Sequence, residues 1–311
     1  MTSDPQWPLG LPRALAPGQR TQVLVADVAT GSAHVVHTEE SLLLEAPNWA
    51  PDADALLLNG GGHLWRLGLD GAGSLDRIRF EGLPPINNDH VVDAARGLVY
   101  LSANDGHIYS GPLAGGRVRR VTHDNTRYHF LHGVSPDGGT LAFVELPVGD
   151  FSAAGRLALV AAGGGATRYP AAGEGHLDGP EYSPDGAWLY VNTEHFGRRA
   201  GHAQLARIPA AGGRPEHLVP SETVDWFPHL SPDGRHATYV AFPPGTLGHP
   251  ADLQVEVRLV ATTDWSRVLA RFAVFGGQGT LNVNSWSPDG RQFAFVAYPM
   301  PDAVDAGPSA P

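Results

Sequence analysis

The sequence predicts an all-β protein, a β-propeller of six four-stranded antiparallel blades, on three observations. First, a Ser-Pro-Asp-Gly tetrapeptide recurs at Ser135, Ser183, Ser231 and Ser287. Second, each copy precedes a short apolar run, and its prolines lie 48, 48 and 56 residues apart, a period typical of repeat architectures. Third, glycine (39) and proline (27) supply about a fifth of the 311 residues, as expected for strands joined by tight turns.

One repeat, between about residues 177 and 221, predicts four strands in order. The Pro-Asp-Gly turn separates the first two strands, and Pro209-Ala-Ala-Gly-Gly has the composition of a hairpin turn between the last two. Four antiparallel strands per repeat form a propeller blade. The predicted strands are Gly179–Ser183, Trp188–Asn192, Gln204–Ile208 and a short one near Glu216–Val219.

The same four-strand pattern can be aligned six times along the chain. The first strand of each repeat, the inner strand of its blade, is expected to start near residues 48, 90, 132, 180, 229 and 284. The last repeat has only two strands before a Pro/Ala/Gly-rich tail. Strands at 21–27 and 33–37 supply the two that it lacks, so we expect the two ends of the chain to pair in one blade and leave no open sheet edge. The whole chain, 1–311, is one predicted domain with an N-terminal extension (1–19) and a C-terminal tail (299–311).

Composition excludes several classes of function. The net charge of −11 argues against binding to nucleic acid, which requires concentrated basic charge. The absence of cysteine excludes disulfides, thiolate nucleophiles and cysteine-ligated zinc. The sequence has neither a signal-peptide pattern at its start nor an apolar stretch long enough to cross a membrane, so we expect a soluble cytoplasmic protein without membrane contacts.

With these repeats, the chain resembles the bacterial TolB-like propeller proteins, whose blades carry the same Ser-Pro-Asp-Gly turn. The resemblance runs from about residue 20 to 298 and is strongest at Asp225–Gly234, Pro244–Ala251 and Phe275–Trp286. It implies the six-bladed fold and says little about function. A weaker resemblance, to oligogalacturonate lyase propellers, rests on His229 before its turn and on Gln278. It implies a manganese ion held by histidines and a glutamine, with another histidine as base.

In a propeller, the Pro-Asp-Gly turns lie on one face, and the residues before each inner strand lie on the other, together with the connections between second and third strands. Of 15 histidines, eight map to that second face: His90, His129, His132, His176, His195, His202, His229 and His249. Histidine is a common metal ligand and a general base near neutral pH. The sequence therefore predicts a histidine-rich mouth.

The candidate roles at this mouth divide into three groups. The catalytic candidates are His132, His229 and His249. The candidate metal ligands are His90, His132, His176, His229 and His249. The candidate substrate-binding residues are Asn88, Asp178, Glu194, Arg198, Arg199, Gln278, Asn282 and Asn284.

Two functions stay open at this point. One is binding of a small polar ligand, expected to be a carbohydrate or oligosaccharide, with lyase or hydrolase chemistry assisted by manganese, calcium or magnesium and without an organic cofactor. The alternative is a non-catalytic binding or scaffold propeller for a peptide or protein partner, because the fold hosts both kinds of function.

Overall fold

A computed structural model describes residues 8–71 and 73–300, and within them the chain forms a six-bladed propeller of antiparallel sheets. The predicted fold is confirmed. One short 3-10 helix, Glu194–Phe196, is the only helical segment in these residues. No helix in the described part of the chain is long and apolar enough to span a membrane.

The strands follow the blades in chain order. The chain opens with β1 (Thr21–Asp27) and β2 (Ser32–Glu39). Blade one contains β3 (Leu44–Trp49), β4 (Ala55–Gly60), β5 (His63–Gly68) and β6 (Leu75–Arg77). Blade two contains β8 (Ile86–Asp93), β9 (Leu98–Ala103), β10 (Ile108–Pro112) and β12 (Arg119–Arg120). Two short strands, β7 (Phe80–Glu81) before this blade and β11 (Gly116–Arg117) within it, pair with each other.

The second half of the ring is built in the same way. Blade three contains β13 (Arg127–Val134), β14 (Thr140–Pro147) and β15 (Arg156–Ala161), with a bridge from Leu159 to Arg168 at its outer edge. Blade four contains β16 (Leu177–Tyr182), β17 (Trp188–Thr193), β18 (Gln204–Pro209) and β19 (Glu216–His217). Blade five contains β20 (Val224–Leu230), β21 (His236–Phe242), β22 (Ala251–Ala261) and β23 (Asp264–Gly277).

Blade six joins the two ends of the chain, as the sequence predicts. Its strand β24 (Gln292–Ala297) pairs antiparallel with β1, and β1 pairs with β2. A bridge between Trp286 and Phe293 marks its inner strand. The ring is thus closed by hydrogen bonds between segments that are far apart in the chain. Residues 1–7 of the predicted extension and 301–311 of the predicted tail lie outside the described residues.

The inner strands start three to five residues earlier than the sequence predicts in blades one to five. The reason is a β-bulge in each of them, where the register with the second strand shifts. A bulge inserts extra residues into one strand, so the paired segment reaches further back from the turn than a regular strand would. In blade four, for example, the shift lies between Asp178 and Glu181.

The Ser-Pro-Asp-Gly turns share one set of hydrogen bonds. In blade five, the Ser231 hydroxyl donates to the Asp233 carboxylate (2.7 Å), which also accepts from the Arg235 N–H (3.0 Å). The Ser231 hydroxyl oxygen accepts in turn from the His236 N–H (3.0 Å). Gly234 has φ +68°, a conformation that only glycine adopts freely. The aspartates are therefore turn formers, as predicted, and keep this face of the ring regular.

Buried apolar side chains hold neighbouring blades together. One cluster joins blades five and six and includes Phe227, Val240, Trp286, Phe293 and Phe295. Burial of each such side chain contributes about 1.5–3 kcal/mol. This packing lies beside the junction where the two ends of the chain pair, and it fixes the inner strands that line the mouth.

Candidate functional site

The bulges give the inner strands their shape near the axis. In blades one, four and five, the bulged residue has a positive φ and precedes a proline: Ala46 (52°), Gly179 (64°) and Phe227 (56°). A bulge bends the strand and re-aims the neighbouring side chains. The residues just before these three positions are Glu45, Asp178 and Trp226, and all three lie at the mouth.

A ring of polar contacts surrounds the axis, with at least one member from every blade. We call it the central polar cluster. The His132 Nε2 atom lies 3.0 Å from Asp178 Oδ1, and the second carboxylate oxygen of Asp178 lies 3.9 Å from His249 Nε2. The His249 Nδ1 atom bonds Gln278. The members of the cluster are Glu45, Asn88, Asp89, His132, Asp178, His249, Gln278 and Asn282.

The charges in this cluster depend on one another. Burial alone would lower the pKa of His132, but the carboxylates of Asp89 and Asp178 outweigh it and raise that pKa to about 9. Burial would raise the pKa of Asp178, yet His132 holds it well below its usual range. Burial raises the pKa of Asp89 to about 7. At neutral pH the cluster therefore contains an imidazolium beside a fully ionised carboxylate and a second one that is partly protonated.

A chain of hydrogen bonds fixes the tautomer of His249. The Gly279 N–H donates to Asn282 Oδ1 (2.8 Å), so the other end of that amide, Nδ2, is the donor to Gln278 Oε1 (3.3 Å). Since Gln278 Oε1 is an acceptor, His249 Nδ1 must carry the proton that it donates. The Nε2 atom of the neutral ring is then a free acceptor that faces Asp178.

The surroundings keep His249 neutral and partly accessible. Burial lowers its pKa despite the nearby carboxylate of Asp178. The ring packs edge-on against Trp226 and Phe227, with centroid distances of 4.4 and 5.1 Å. Its side chain is 28% exposed, more than that of Asp178 (13%) or His132 (3%). His249 is therefore the member of this histidine–aspartate group that solvent reaches most easily.

The opposite side of the cluster contains an ion pair between a buried carboxylate and a partly buried arginine. Arg13 Nη1 donates to Glu45 Oε1 (2.7 Å) and to the backbone carbonyl of Gln278 (2.7 Å). Asn59 donates to the other oxygen of Glu45 (3.1 Å), and Asn88 lies 3.5 Å from the first. Burial raises the pKa of Glu45 even with the arginine beside it. The arginine thus compensates a buried carboxylate whose other hydrogen-bond partners, Asn59 and Asn88, are neutral.

His229 has a different environment from the other candidates. Its Nδ1 atom lies 2.6 Å from Glu181, and its Nε2 donates to the carbonyl of Leu281 (3.2 Å). Glu181 also accepts from the Leu230 N–H and from Asn284 Nδ2, both at 2.9 Å. Both ring nitrogens of His229 are thus engaged inside the protein. The group links blades four, five and six, and its geometry is that of a structural cross-link.

The remaining predicted residues do not join the cluster, except that His176 lies at its edge, close enough for its charge to act on Asp178 and His249. His90 is fully buried in β8, and burial lowers its pKa to about 4. His176 accepts a hydrogen bond from the Gly155 N–H (2.9 Å) and lies beside Trp226. Glu194 lies in the 3-10 helix after β17, Arg198 pairs with Glu222 at the surface, and Arg199 is exposed.

The donor set does not fit a divalent metal ion. Among residues 8–71 and 73–300, no three histidines or carboxylates are arranged to hold one. His90 and His229 are occupied or enclosed elsewhere, which separates them from His132 and His249. The predicted metal set is therefore not brought together, and metal binding stays a prediction from sequence alone.

Sequence reasoning assigned no role to four residues that shape the site: Arg13, Glu45, Asp89 and Glu181. A signal existed for one of them, Glu45. Glu45-Ala-Pro and Asp178-Gly-Pro share the order acid, left-handed residue, proline, so aligning the inner strands on their prolines would have placed Glu45 beside Asp178 at the mouth. Arg13 lies outside the repeats, and no repeat pattern indicates it.

No family model matches the sequence. The protein Atu1656 of Agrobacterium fabrum, described as uncharacterized, is 37% identical over 284 residues, which span 90% of this chain and 92% of that protein. The solved structure of a "putative TolB" from Agrobacterium tumefaciens superposes with a TM-score of 0.82 at 34% identity, covering 91% of this chain and 99% of that one.

An oligogalacturonate lyase in complex with manganese shares the fold at lower similarity. Its TM-score is 0.51 at 14% identity, covering 88% of this chain and 77% of the lyase. At that identity the likeness concerns the fold only. The Agrobacterium relatives match nearly the whole length at more than twice that identity, and the chain belongs to their family, the TolB-like six-bladed β-propeller proteins.

Proposed function

We propose that the protein binds a small, hydroxyl-rich ligand of the carbohydrate class at the central polar cluster. At the mouth, positively and negatively charged hydrogen-bonding side chains lie within a few ångströms of one another, with aromatic rings beside them. The indole Nε1 of Trp226 is buried and has no hydrogen-bond partner among the described residues. A buried donor without a partner is typical of a place where water or a ligand completes the hydrogen bonding.

We further propose that the ligand is a substrate and that His249 is the general base. The observation that carries this proposal is the free Nε2 atom of His249, fixed by the chain from Gly279 through Asn282 and Gln278. A neutral imidazole with a free acceptor, partly open to solvent, is suited to accept a proton near neutral pH. A substrate hydroxyl or an acidic C–H placed between His249 and Asp178 would transfer its proton to this atom.

The imidazolium of His132 supplies the complementary charge. It is held by Asp178 and keeps its proton at neutral pH. Its charge stabilises negative charge that develops on the substrate when His249 removes a proton. In elimination, His249 takes the proton next to the substrate carboxylate, and the C–O bond to the leaving sugar breaks. In hydrolysis, His249 takes a proton from the water that attacks as this C–O bond breaks. In both reactions the leaving oxygen takes up a proton from solvent, so the chemistry fits a lyase or a hydrolase.

The test is a sugar panel with a matched pair of variants. Glucose, galactose, galacturonate and their disaccharides are added to the wild type, and the melting temperature and the release of unsaturated or reducing products are measured. We expect one sugar class to raise the melting temperature and to be turned over. His249→Gln should lower kcat by about 10²–10⁴-fold, while His34→Gln, on the exposed outer strand β2, should have no effect. Binding of no sugar, or equal turnover by both variants, would contradict the proposal.

A second candidate function has one observation in its favour. Three large apolar side chains are exposed in the loops around the mouth: Val148 (46%), Phe151 (60%) and Leu247 (73%). Exposed apolar groups around a rim are typical of contact with a protein partner. In a scaffold of this kind the sugar panel gives no turnover, and His249→Gln leaves partner binding unchanged while Phe151→Ser and Leu247→Ser weaken it.

A further inference from the structure

The segment before β1 crosses the mouth face of the ring and inserts one arginine into it. We call residues 8–19 the strap. Its Arg13 reaches Glu45 and the carbonyl of Gln278, and its guanidinium carbon lies 5.3 Å from the centre of the Tyr298 ring. The cation is therefore held by a carboxylate, a carbonyl oxygen and an aromatic face, the three kinds of group that recognise organic cations.

The pocket around Arg13 belongs to the blades and not to the strap. Glu45 lies in β3, Gln278 follows β23, and the Tyr298 hydroxyl donates to the carbonyl of Leu44 (3.0 Å). Asn59 orients Glu45 with its Nδ2 atom, while its own Oδ1 atom is buried and lacks a hydrogen-bond partner among the described residues. A further N–H group beside this carboxylate would complete the hydrogen bonding of that acceptor.

The strap is anchored at its C-terminal end and is weakly attached before it. Near its start, the Leu9 N–H donates to the carbonyl of Asn104 (3.2 Å), and the Asn104 side chain donates to the carbonyl of Gly10 (3.0 Å). Leu11 is 74% exposed, and Ala14 and Ala16 are exposed. Gln19, by contrast, is buried and donates to Asp252 (2.7 Å) and to the carbonyl of Tyr298 (3.2 Å), and Leu15 packs against the core. Residues 8–14 have few buried contacts besides those of Arg13, so this part can detach from the fixed end at Gln19 at little cost in free energy beyond the contacts of Arg13.

Without the strap, the mouth carries an excess of negative charge. The carboxylates of Glu45 and Asp178 both act on Asp89, and His132 is the cation between Asp89 and Asp178. Arg13 is the cation at Glu45. A buried carboxylate that loses its partner is destabilised, so a proton or a second cation must replace Arg13 when it leaves.

We propose that Glu45, Gln278 and Tyr298 form a subsite for the cationic group, a guanidinium or ammonium, of a ligand, and that Arg13 of the strap occupies this subsite until such a ligand displaces it. The inference deepens the proposed function, because it names a charged group on the ligand that the mouth binds. It makes the strap an internal competitor, which lowers the apparent affinity for the ligand by the ratio of bound to free strap.

The test uses agmatine as the cationic probe and butylurea as its uncharged counterpart, with binding measured by calorimetry. We expect agmatine to bind Arg13→Ala at least about 10-fold more tightly than the wild type, since the competitor is gone. Adding Glu45→Gln to that variant should abolish the gain. Arg20→Ala is the control, because Arg20 has no ion pair among the described residues. Equal agmatine affinity in the wild type and Arg13→Ala would overturn the proposal.

A second measurement follows the strap directly. The chain has no cysteine, so Leu11→Cys gives a single exposed site for an environment-sensitive fluorophore. Agmatine should change the emission of the labelled protein, and butylurea should not. An unchanged emission while agmatine binds would refute displacement of the strap. Agmatine binding with no response to sugars would support the cation subsite and contradict the carbohydrate proposal. Failure of the subsite and failure of the proposed function are therefore distinguishable.

Discussion

The two faces of the ring are built from the same repeats, yet only one of them is regular. On the turn face, the serine hydroxyl donates to its aspartate at 2.5–2.7 Å in all four Ser-Pro-Asp-Gly turns. On the mouth face, the third residue before those serines is proline in two blades, Pro180 and Pro228, and a polar residue in the other two, His132 and Asn284. The turn is set by local backbone geometry, whereas the mouth residue depends on its neighbours in other blades. The repeat therefore specifies the fold and leaves the site free to vary.

The largest effect on stability should come from the mouth face, at the cross-link between blades. His229→Ala removes the partner of a buried carboxylate, Glu181, and such a loss costs about 3 kcal/mol or more. We expect the free energy of unfolding, measured by urea titration, to fall by this amount. In a double-mutant cycle, adding Glu181→Gln to the His229→Ala variant should lower the free energy of unfolding much less than Glu181→Gln does in the wild type.

The control for this cross-link is His34→Ala on the outer strand β2, which should change stability little. Strictly additive losses for His229→Ala and Glu181→Gln would show that the two side chains do not act as a unit. That result would remove the contrast between a mouth face coupled across blades and a turn face made of independent units.

A smaller effect should appear in the pH dependence of stability. The pKa of His132 is about 9 in the folded protein, above its value of 6.5 in the unfolded chain. Its contribution to the free energy of unfolding is therefore complete below pH 6.5 and is lost as the pH rises through 9. The pKa of Asp89 in the folded protein, about 7, is also raised, so its contribution to the free energy of unfolding is lost between about pH 4 and 7. The free energy of unfolding should therefore fall with rising pH, by on the order of 2 kcal/mol from pH 6.5 to 9.

Asp178 acts in the opposite direction, because its pKa is lowered and its contribution is lost only in acid. The cluster should thus favour the folded state most at mildly acidic pH. Urea titrations at fixed pH values give the free energy of unfolding as a function of pH. Asp89→Asn should flatten this curve below pH 7, and His132→Gln should flatten it above pH 7. Identical pH profiles for the wild type and His132→Gln would contradict the charge assignment at the mouth.

Much of the fold could be predicted from the sequence because its signals are local. The turn sets the start of the next strand, so β17 begins at Trp188 and β1 spans Thr21–Asp27 as predicted. The same logic predicted that β1 pairs with the last strand, because a propeller leaves no other partner for it. The starts of the inner strands were missed because a bulge depends on contacts across the ring, and the repeat does not record these contacts.

The site could be predicted only in part, for a similar reason. His132, Asp178, His249, Gln278 and Asn282 were placed at the mouth by topology, and they do meet there. Arg198 and Arg199 follow the same topology, yet the 3-10 helix at the start of their loop leaves them at the surface. The role of His229 depends on Glu181, which lies one repeat period of 48 residues earlier, at the equivalent position two residues before its serine. The repeat aligns these two positions but does not show that side chains of neighbouring blades pair there.

The smallest predicted effect lies on the turn face and tests its regularity. Gly234→Ala adds a methyl group with ordinary contacts, its nearest neighbour being Pro184 at 3.8 Å, so the cost comes from φ +68° alone. An alanine in this conformation costs roughly 1–2 kcal/mol. Gly186 has φ +71° and Gly290 has φ +69°, so the same substitution there should lower the free energy of unfolding equally. If urea titrations gave three different losses, the turns would not be equivalent, and the turn face would depend on its neighbours as the mouth does.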